Sequence, residues 1–187
     1  MKPIEWLAPT YRQMLTALSQ WLAKVEQQSA GDQGAALLAA RLAPDMFPLA
    51  TQVRFACVQA YEGVCRLLET DFPPVVDVLL NEGREAGERP GTLAEAQTRI
   101  ADTLAFLDEA VPDSAPDAPA EIAHALPMGM IFDLTGEQYA RDWALPQFYF
   151  HLMTAYAILR KEGVELGKAD YVAHMFAYLR PGTAPGG

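Results

Sequence analysis

The sequence predicts an all-α protein, an up-down four-helix bundle with a small β-hairpin before its last long helix and an extra C-terminal helix. Four long segments carry apolar residues at intervals of three and four positions, which is typical of amphipathic helices. The chain has 187 residues, of which 51% are hydrophobic, enough to fill one core. Residues 1–180 are therefore predicted to form a single domain, and residues 181–187 a disordered tail.

The composition argues against several classes of function. With 14 basic and 24 acidic side chains the formal charge is −10, which disfavours a nucleic-acid partner because phosphates require clustered Lys and Arg. No segment approaches the ~20 apolar residues that a membrane-spanning helix needs. Glu5 lies where a secretory signal would need an unbroken apolar stretch. The prediction is a soluble, cytoplasmic protein without a nucleic-acid or membrane partner.

The first part of the chain is predicted to form two long helices with a short one between them. The apolar stripe of the first helix consists of seven residues: Tyr11, Met14, Leu15, Leu18, Trp21, Leu22 and Val25. Residues 35–42 predict a helix of one or two turns. The second long helix is expected over residues 47–69. Asp45 would cap it, and Pro48 would fit its first turn because that N–H has no intrahelical partner.

The middle of the chain predicts a short helix and a third long one. Residues 75–91 begin apolar and end in Gly and charged residues, which indicates a short helix followed by a loop. Thr92 and Glu95 have the spacing of a capping box, so the third long helix should begin there and end before Pro112. Residues 113–119 are rich in Pro, Ala and Asp and predict a linker.

The last third combines a hairpin with the fourth long helix. Residues 122–126 and 130–134 flank a Pro-Met-Gly turn, which predicts two antiparallel strands. A second capping-box pattern at residues 135–138 opens the fourth helix, which Pro146 should kink or divide. An extra helix is expected over residues 169–179. His124 and His174 are expected at the surface or in an interface.

Several segments resemble the DinB/YfiT-like superfamily of four-helix bundles, often described as metalloenzymes. They are LAPDMFPL at residues 42–49, FYFH at 148–151, and TAYAILR at 154–160 followed by GVE at 163–165. The resemblance covers roughly residues 9–171 and is closest to a bacterial branch that lacks the full histidine triad of the superfamily. It implies the helical bundle expected above, but it carries over no established activity.

The resemblance also implies a metal position. Members of the superfamily commonly hold a divalent metal through one histidine on the second helix and a His-x-x-x-His pair on the fourth. By this comparison His151 matches the second histidine of the pair, Gln147 occupies the place of the first, and Gln52 is the nearest match on the second helix. A neutral amide is a weak ligand for zinc or nickel, so no cofactor is expected. A divalent metal held by His151 with Asp45 is kept as an alternative.

Three interpretations of His151 remain open at this stage. It is a buried structural histidine, the centre of a metal-free polar pocket between the second and fourth helices, or a retained metal ligand. In the pocket, Asp45, Gln52, Gln147 and Tyr149 would contact a small ligand. His151 is then also the candidate catalytic residue, acting as a general base near neutral pH.

Two functions follow from these interpretations. The first is a small-molecule-binding or interaction module that kept the bundle and lost the metal. The alternative is a metal-dependent enzyme of the thiol-transferase type, in which the metal would lower the pKa of a thiol. A homodimer is also expected, because bundles of this type often dimerise and the terminal helix carries an apolar stripe made of Tyr171, Met175, Tyr178 and Leu179.

Overall fold

Four long helices, α1 (Pro3–Gln28), α3 (Leu49–Leu68), α5 (Leu93–Ala110) and α7 (Leu145–Lys161), form the body of a computed structural model that describes residues 1–28, 33–112 and 114–183. α3 packs against α1, α5 and α7, and α1 packs against α5 and α7. All seven residues of the stripe predicted on the first helix are buried. The prediction of a helical bundle is confirmed.

The tail and linker predictions fall partly outside the described residues. Residues 184–187 belong to the predicted tail, and Asp113 to the predicted linker. No helix in the described part of the chain combines the length and the apolar character that crossing a membrane requires.

Two short helices flank α3. α2 (Gln33–Ala39) precedes it, and α4 (Val75–Glu85) follows and packs on it. The capping box of α5 forms as predicted: the Thr92 hydroxyl accepts a hydrogen bond from the backbone N–H of Glu95 at 3.1 Å, and the Glu95 carboxylate accepts one from the backbone N–H of Thr92 at 2.7 Å.

The N-terminus of α3 differs from the prediction. Asp45 is exposed and does not cap the helix; Pro48 occupies the N-cap position in an extended conformation, so helical geometry begins only at Leu49. The backbone N–H of Leu49 donates to the carbonyl of Ala40 at 2.8 Å. Ala40, the residue after α2, thus supplies an acceptor for one of the free N–H groups at this end of α3.

The predicted hairpin is confirmed. Strands β1 (Ile122–Ala125) and β2 (Ile131–Leu134) pair antiparallel, with Ile122 opposite Leu134. Gly129 has a φ of 86° in the turn, and its N–H donates to the carbonyl of Leu126 at 2.9 Å. A residue without Cβ adopts this left-handed conformation at little cost.

The last long helix is divided just before Pro146, as predicted. A short helix α6 (Gly136–Gln138), opened by the Thr135 capping box, leads into a π-helical segment (Tyr139–Ala144) and then into α7. The backbone N–H of Leu145 reaches back five residues to the carbonyl of Ala140. The wider turn lets the chain pass Pro146, which has no N–H to donate, in the first turn of α7.

The C-terminal segment is not the single helix predicted over residues 169–179. It forms a short helix α8 (Lys168–Tyr171) and a 3₁₀ helix (Ala173–Tyr178), and neither contains a buried residue. Val172, between them, leaves the helical conformation with φ −103° and ψ 22°. Only Tyr171 of this described segment packs against the core, whereas the apolar residues from Met175 to Leu179 are exposed, so helical spacing alone does not stabilise a longer helix here.

Candidate functional site

A buried polar pair lies between α3 and α7. The Nδ1 atom of His151 is 2.9 Å from Oε1 of Gln52, and the two residues are 9% and 2% exposed. Gln52 lies in the first turn of α3 and His151 in the second turn of α7. The structure thus brings together the two residues that the resemblance placed at the former metal position.

The hydrogen bonds of Gln52 fix the proton on His151. The carbonyl of Phe47 can only accept, so the Gln52 amide nitrogen donates to it, at 3.2 Å. Oε1 of Gln52 is then the acceptor toward His151, and Nδ1 of the imidazole carries the hydrogen. In the neutral ring, Nε2 therefore presents a lone pair, and no described residue forms a hydrogen bond with it.

The environment of the pair keeps the imidazole uncharged. Burial lowers the pKa of His151 from 6.5 to about 4. A histidine with this pKa is neutral at pH 7, where it is also a weak general base. Burial therefore favours hydrogen bonding over proton abstraction at this position.

Three phenylalanines lie beside the pair and are here called the aromatic rim: Phe47, Phe55 and Phe150. The rings of Phe55 and Phe150 each lie 5.3 Å from the His151 ring, at interplanar angles of 81° and 83°. Phe47 lies 5.8 Å from Phe55, and Phe47 and Phe150 are 51% and 57% exposed. Half-exposed aromatic rings grouped around a recessed polar atom are typical of a binding surface.

The position of Phe55 in the rim depends on a glycine of α4. A Cβ atom built on Gly83 would overlap the ring of Phe55, so only glycine allows this approach between α4 and α3. The carbonyl of Gly83 accepts a hydrogen bond from the Thr51 hydroxyl at 2.7 Å. Sequence reasoning did not assign Phe55 to the site, although its spacing of three residues from Gln52 places both on one face of α3.

The other predicted site residues are arranged differently. Gln147 lies one turn before His151 on α7, is half-buried and forms no hydrogen bond with the described residues. Asp45 is exposed. Tyr149 is half-buried, and burial and the neighbouring Tyr171 raise the pKa of its hydroxyl. Side chains two positions apart on an α-helix are separated by about 200° around the helix axis. Tyr149 therefore points away from the face of α7 that carries His151.

The donor set at the pair does not fit the metal that the resemblance implies. Within the described ranges, no three His, Cys, Asp or Glu side chains converge as metal ligands. At the pair, Nδ1 and Oε1 are engaged with each other, and the amide nitrogen has no lone pair to offer. Nε2 of His151 is the single strong donor left, whereas a protein site for zinc takes three or four.

The side chain of His124 faces the core from strand β1, so its prediction as a surface or interface residue is wrong. It is 4% exposed, and its ring lies 4.3 Å from that of Trp143 and 5.6 Å from that of Tyr139. Burial, with the charge of Arg66, lowers the pKa of His124 to about 4. The alternation of side chains along a β-strand could have predicted this burial. Ile122 and His124 share one face of β1, and Ile122 faces the core.

Comparisons with known proteins agree with this bundle. Residues 5–172 match the family described as "Domain of unknown function (DUF1993)". The chain is 33% identical to a DinB family member protein from Shewanella denitrificans whose crystal structure is known; the match has a TM-score of 0.66 and covers 95% of this chain and 93% of that one. The comparison with curated proteins found no match. With this family match, and with a DinB family protein as a structural neighbour, the chain belongs to the DUF1993 family and has the fold of a DinB-like helical bundle.

Proposed function

We propose that this chain is a small-molecule-binding or interaction module whose site is the Gln52–His151 pair with the aromatic rim, and that it works without a resident metal. The observation that carries the proposal is the 2.9 Å hydrogen bond between two polar side chains on facing helices, which leaves one imidazole nitrogen without a described partner. Helical bundles build ligand sites from side chains that face each other across helices. Burying a polar group without a partner costs free energy, and Nε2 of His151 has no hydrogen-bond partner among the described residues, which supports a ligand at this atom.

The alternative, a metal-dependent transferase, receives no support from the geometry. Its chemistry would need a metal to lower the pKa of a thiol, and the donor set at the pair does not fit that metal. A metal-free version would need His151 as general base, and a pKa of about 4 makes the imidazole a weak base at neutral pH. We therefore favour binding over catalysis.

Metal analysis of the purified protein tests the metal-free part of the proposal. We expect substoichiometric zinc, nickel and iron in the wild type. A double variant, Gln52→His with Gln147→His, should gain metal uptake, because three imidazoles would then share one site. Stoichiometric metal in the wild type that disappears in His151→Ala would overturn the proposal.

Ligand-observed NMR with a library of small, uncharged fragments tests the binding part. We expect fragments that bind the wild type to lose binding in Gln52→Ala. The matched control is Gln97→Ala, since Gln97 also joins two helices, through Ser19, with hydrogen bonds of 2.7 and 2.9 Å. Binding that survives Gln52→Ala, or that is lost equally in Gln97→Ala, would contradict the site assignment.

We also propose a homodimer formed through the C-terminal segment. Its apolar residues lie at the surface: Met175, Phe176, Tyr178 and Leu179 are 53%, 54%, 80% and 42% exposed. Neighbouring exposed apolar side chains favour burial against a second subunit. Light scattering at micromolar concentration should give the mass of a dimer, and Phe176→Ser with Tyr178→Ser should give that of a monomer. A monomeric wild type would refute the proposal.

A further inference from the structure

We propose that the Gln52–His151 site selects an uncharged aromatic molecule that donates one hydrogen bond to Nε2 of His151. This inference rests on the proposed function, because it names the ligand class of the same site. Phenols are the simplest molecules with this chemistry. The ligand class follows in three steps from the proton on the imidazole, the charge around it and the aromatic surface beside it.

The first step is the direction of the hydrogen bonds. The carbonyl of Phe47 accepts from the Gln52 amide nitrogen, so Oε1 of Gln52 must accept from Nδ1 of His151. The order of donors along this chain cannot be reversed, because a backbone carbonyl has no hydrogen to give. Nε2 is consequently an acceptor, and a ligand that reaches it must donate. An ether, a carbonyl or a carboxylate group can only accept, so its oxygen lone pair would repel the lone pair of Nε2.

The second step is the charge at the site. The hydrogen-bond and aromatic partners of the His151 ring among the described residues are Gln52, Phe55 and Phe150, which carry no charge, and burial is the only cause of its lowered pKa. Burial keeps the imidazole itself neutral at pH 7. A charged ligand would therefore lose its hydration without gaining an ionic partner, which favours an uncharged one.

The third step is the aromatic rim. The rings of Phe55 and Phe150 are nearly perpendicular to the His151 ring, and Phe47 extends the apolar surface next to Phe55. Phe47 and Phe150 expose about half of their surface. A flat aromatic ligand would cover these rings and bury apolar area on both molecules. A hydroxyl or N–H group at its edge would then reach the recessed Nε2.

Titration of the labelled wild-type protein with phenol, anisole and benzoate, followed by NMR, tests the inference. Phenol and anisole share the ring, but only phenol donates a hydrogen bond, and benzoate carries a charge. We expect phenol to bind about three- to tenfold more tightly than anisole, the ratio that one hydrogen bond supplies. Benzoate should bind more weakly than phenol. In His151→Phe, phenol and anisole should bind equally.

Nitrogen-15 shifts of the histidine rings give a readout that needs no variant. We expect His151 in the form with hydrogen on Nδ1, and a shift of Nε2 when phenol binds. Hydrogen on Nε2 in the free protein would overturn the inference even if ligands bind. Equal binding of phenol and anisole to the wild type, or preference for benzoate, would overturn the ligand class while leaving the proposed function intact. No binding by any probe or library fragment would overturn both.

Discussion

Replacing Glu82 by Ala is expected to lower the free energy of unfolding by about 1.5–3 kcal/mol, the range for losing hydrogen bonds to a charged group, because Arg54 is buried while the Glu82 side chain is 31% exposed. Oε2 of Glu82 lies 3.3 Å from Nε of Arg54, whose side chain is only 4% exposed, and the same carboxylate binds Arg99. Without Glu82, the Arg54 guanidinium would be a buried charge without its ionic partner. Urea unfolding at pH 7 measures the loss.

A matched control lies one turn away on α4. Glu85 and Arg89 form an ion pair of 2.7 Å, but their side chains are 54% and 75% exposed. Solvent screens such a pair, so Glu85→Ala should cost between about 0 and 1 kcal/mol. Equal losses in the two variants would show that burial of Arg54 does not determine the strength of the network.

Acidification should weaken the contribution of the Glu82 network to the free energy of unfolding. Burial alone would raise the pKa of Glu82, but hydrogen bonds and charges from Arg99 and Arg54 together hold that pKa below its ordinary value. A carboxylate with a depressed pKa in the folded state stabilises the protein above its ordinary pKa, and this contribution is lost as the pH falls through the lowered value.

The helices of the bundle could be predicted from the sequence because their apolar stripes are buried along most of their length. The stripe of α1 is the clearest case, since all of its predicted residues are buried. The same spacing failed at the C-terminal segment, where Met175 and Tyr178 are exposed. Periodicity reports which residues share a face, and it does not report whether the chain itself covers that face.

The site could be predicted only in part. Gln52 and His151 are 99 positions apart, so no local spacing determines that they meet; the resemblance supplied this pairing. Asp45 is predicted to cap α3, but the carbonyl of Ala40 accepts a hydrogen bond from the N–H of Leu49 instead, and local sequence spacing does not reveal this contact. The orientation of Tyr149, in contrast, follows from helical geometry, because side chains two positions apart on a helix point in nearly opposite directions.

Lowering the pH from 7 to 4 is expected to destabilise the protein through its two buried histidines, by about 2–3 kcal/mol each. Burial lowers the pKa of both His151 and His124 to about 4, whereas an unfolded histidine has a pKa of about 6.5. As the pH falls, these histidines therefore become protonated in the unfolded chain before they do in the folded protein. The stabilisation is complete above pH 6.5, is lost as the pH falls from 6.5 through 4, and levels off once the folded histidines are also protonated.

Two variants separate the histidines in urea unfolding experiments at pH 7, 5.5 and 4.5. His124→Phe keeps the aromatic packing on Trp143 and removes a ring whose two nitrogens have no hydrogen-bond partner in the described residues, so stability at pH 7 should be unchanged or higher. His151→Phe should lose about 1–3 kcal/mol at pH 7, because Oε1 of Gln52 is left without its donor. Each variant should remove about half of the loss that the two histidines together cause between pH 7 and 4.5. If His124→Phe loses as much stability on acidification as the wild type, His124 is not buried as a neutral ring.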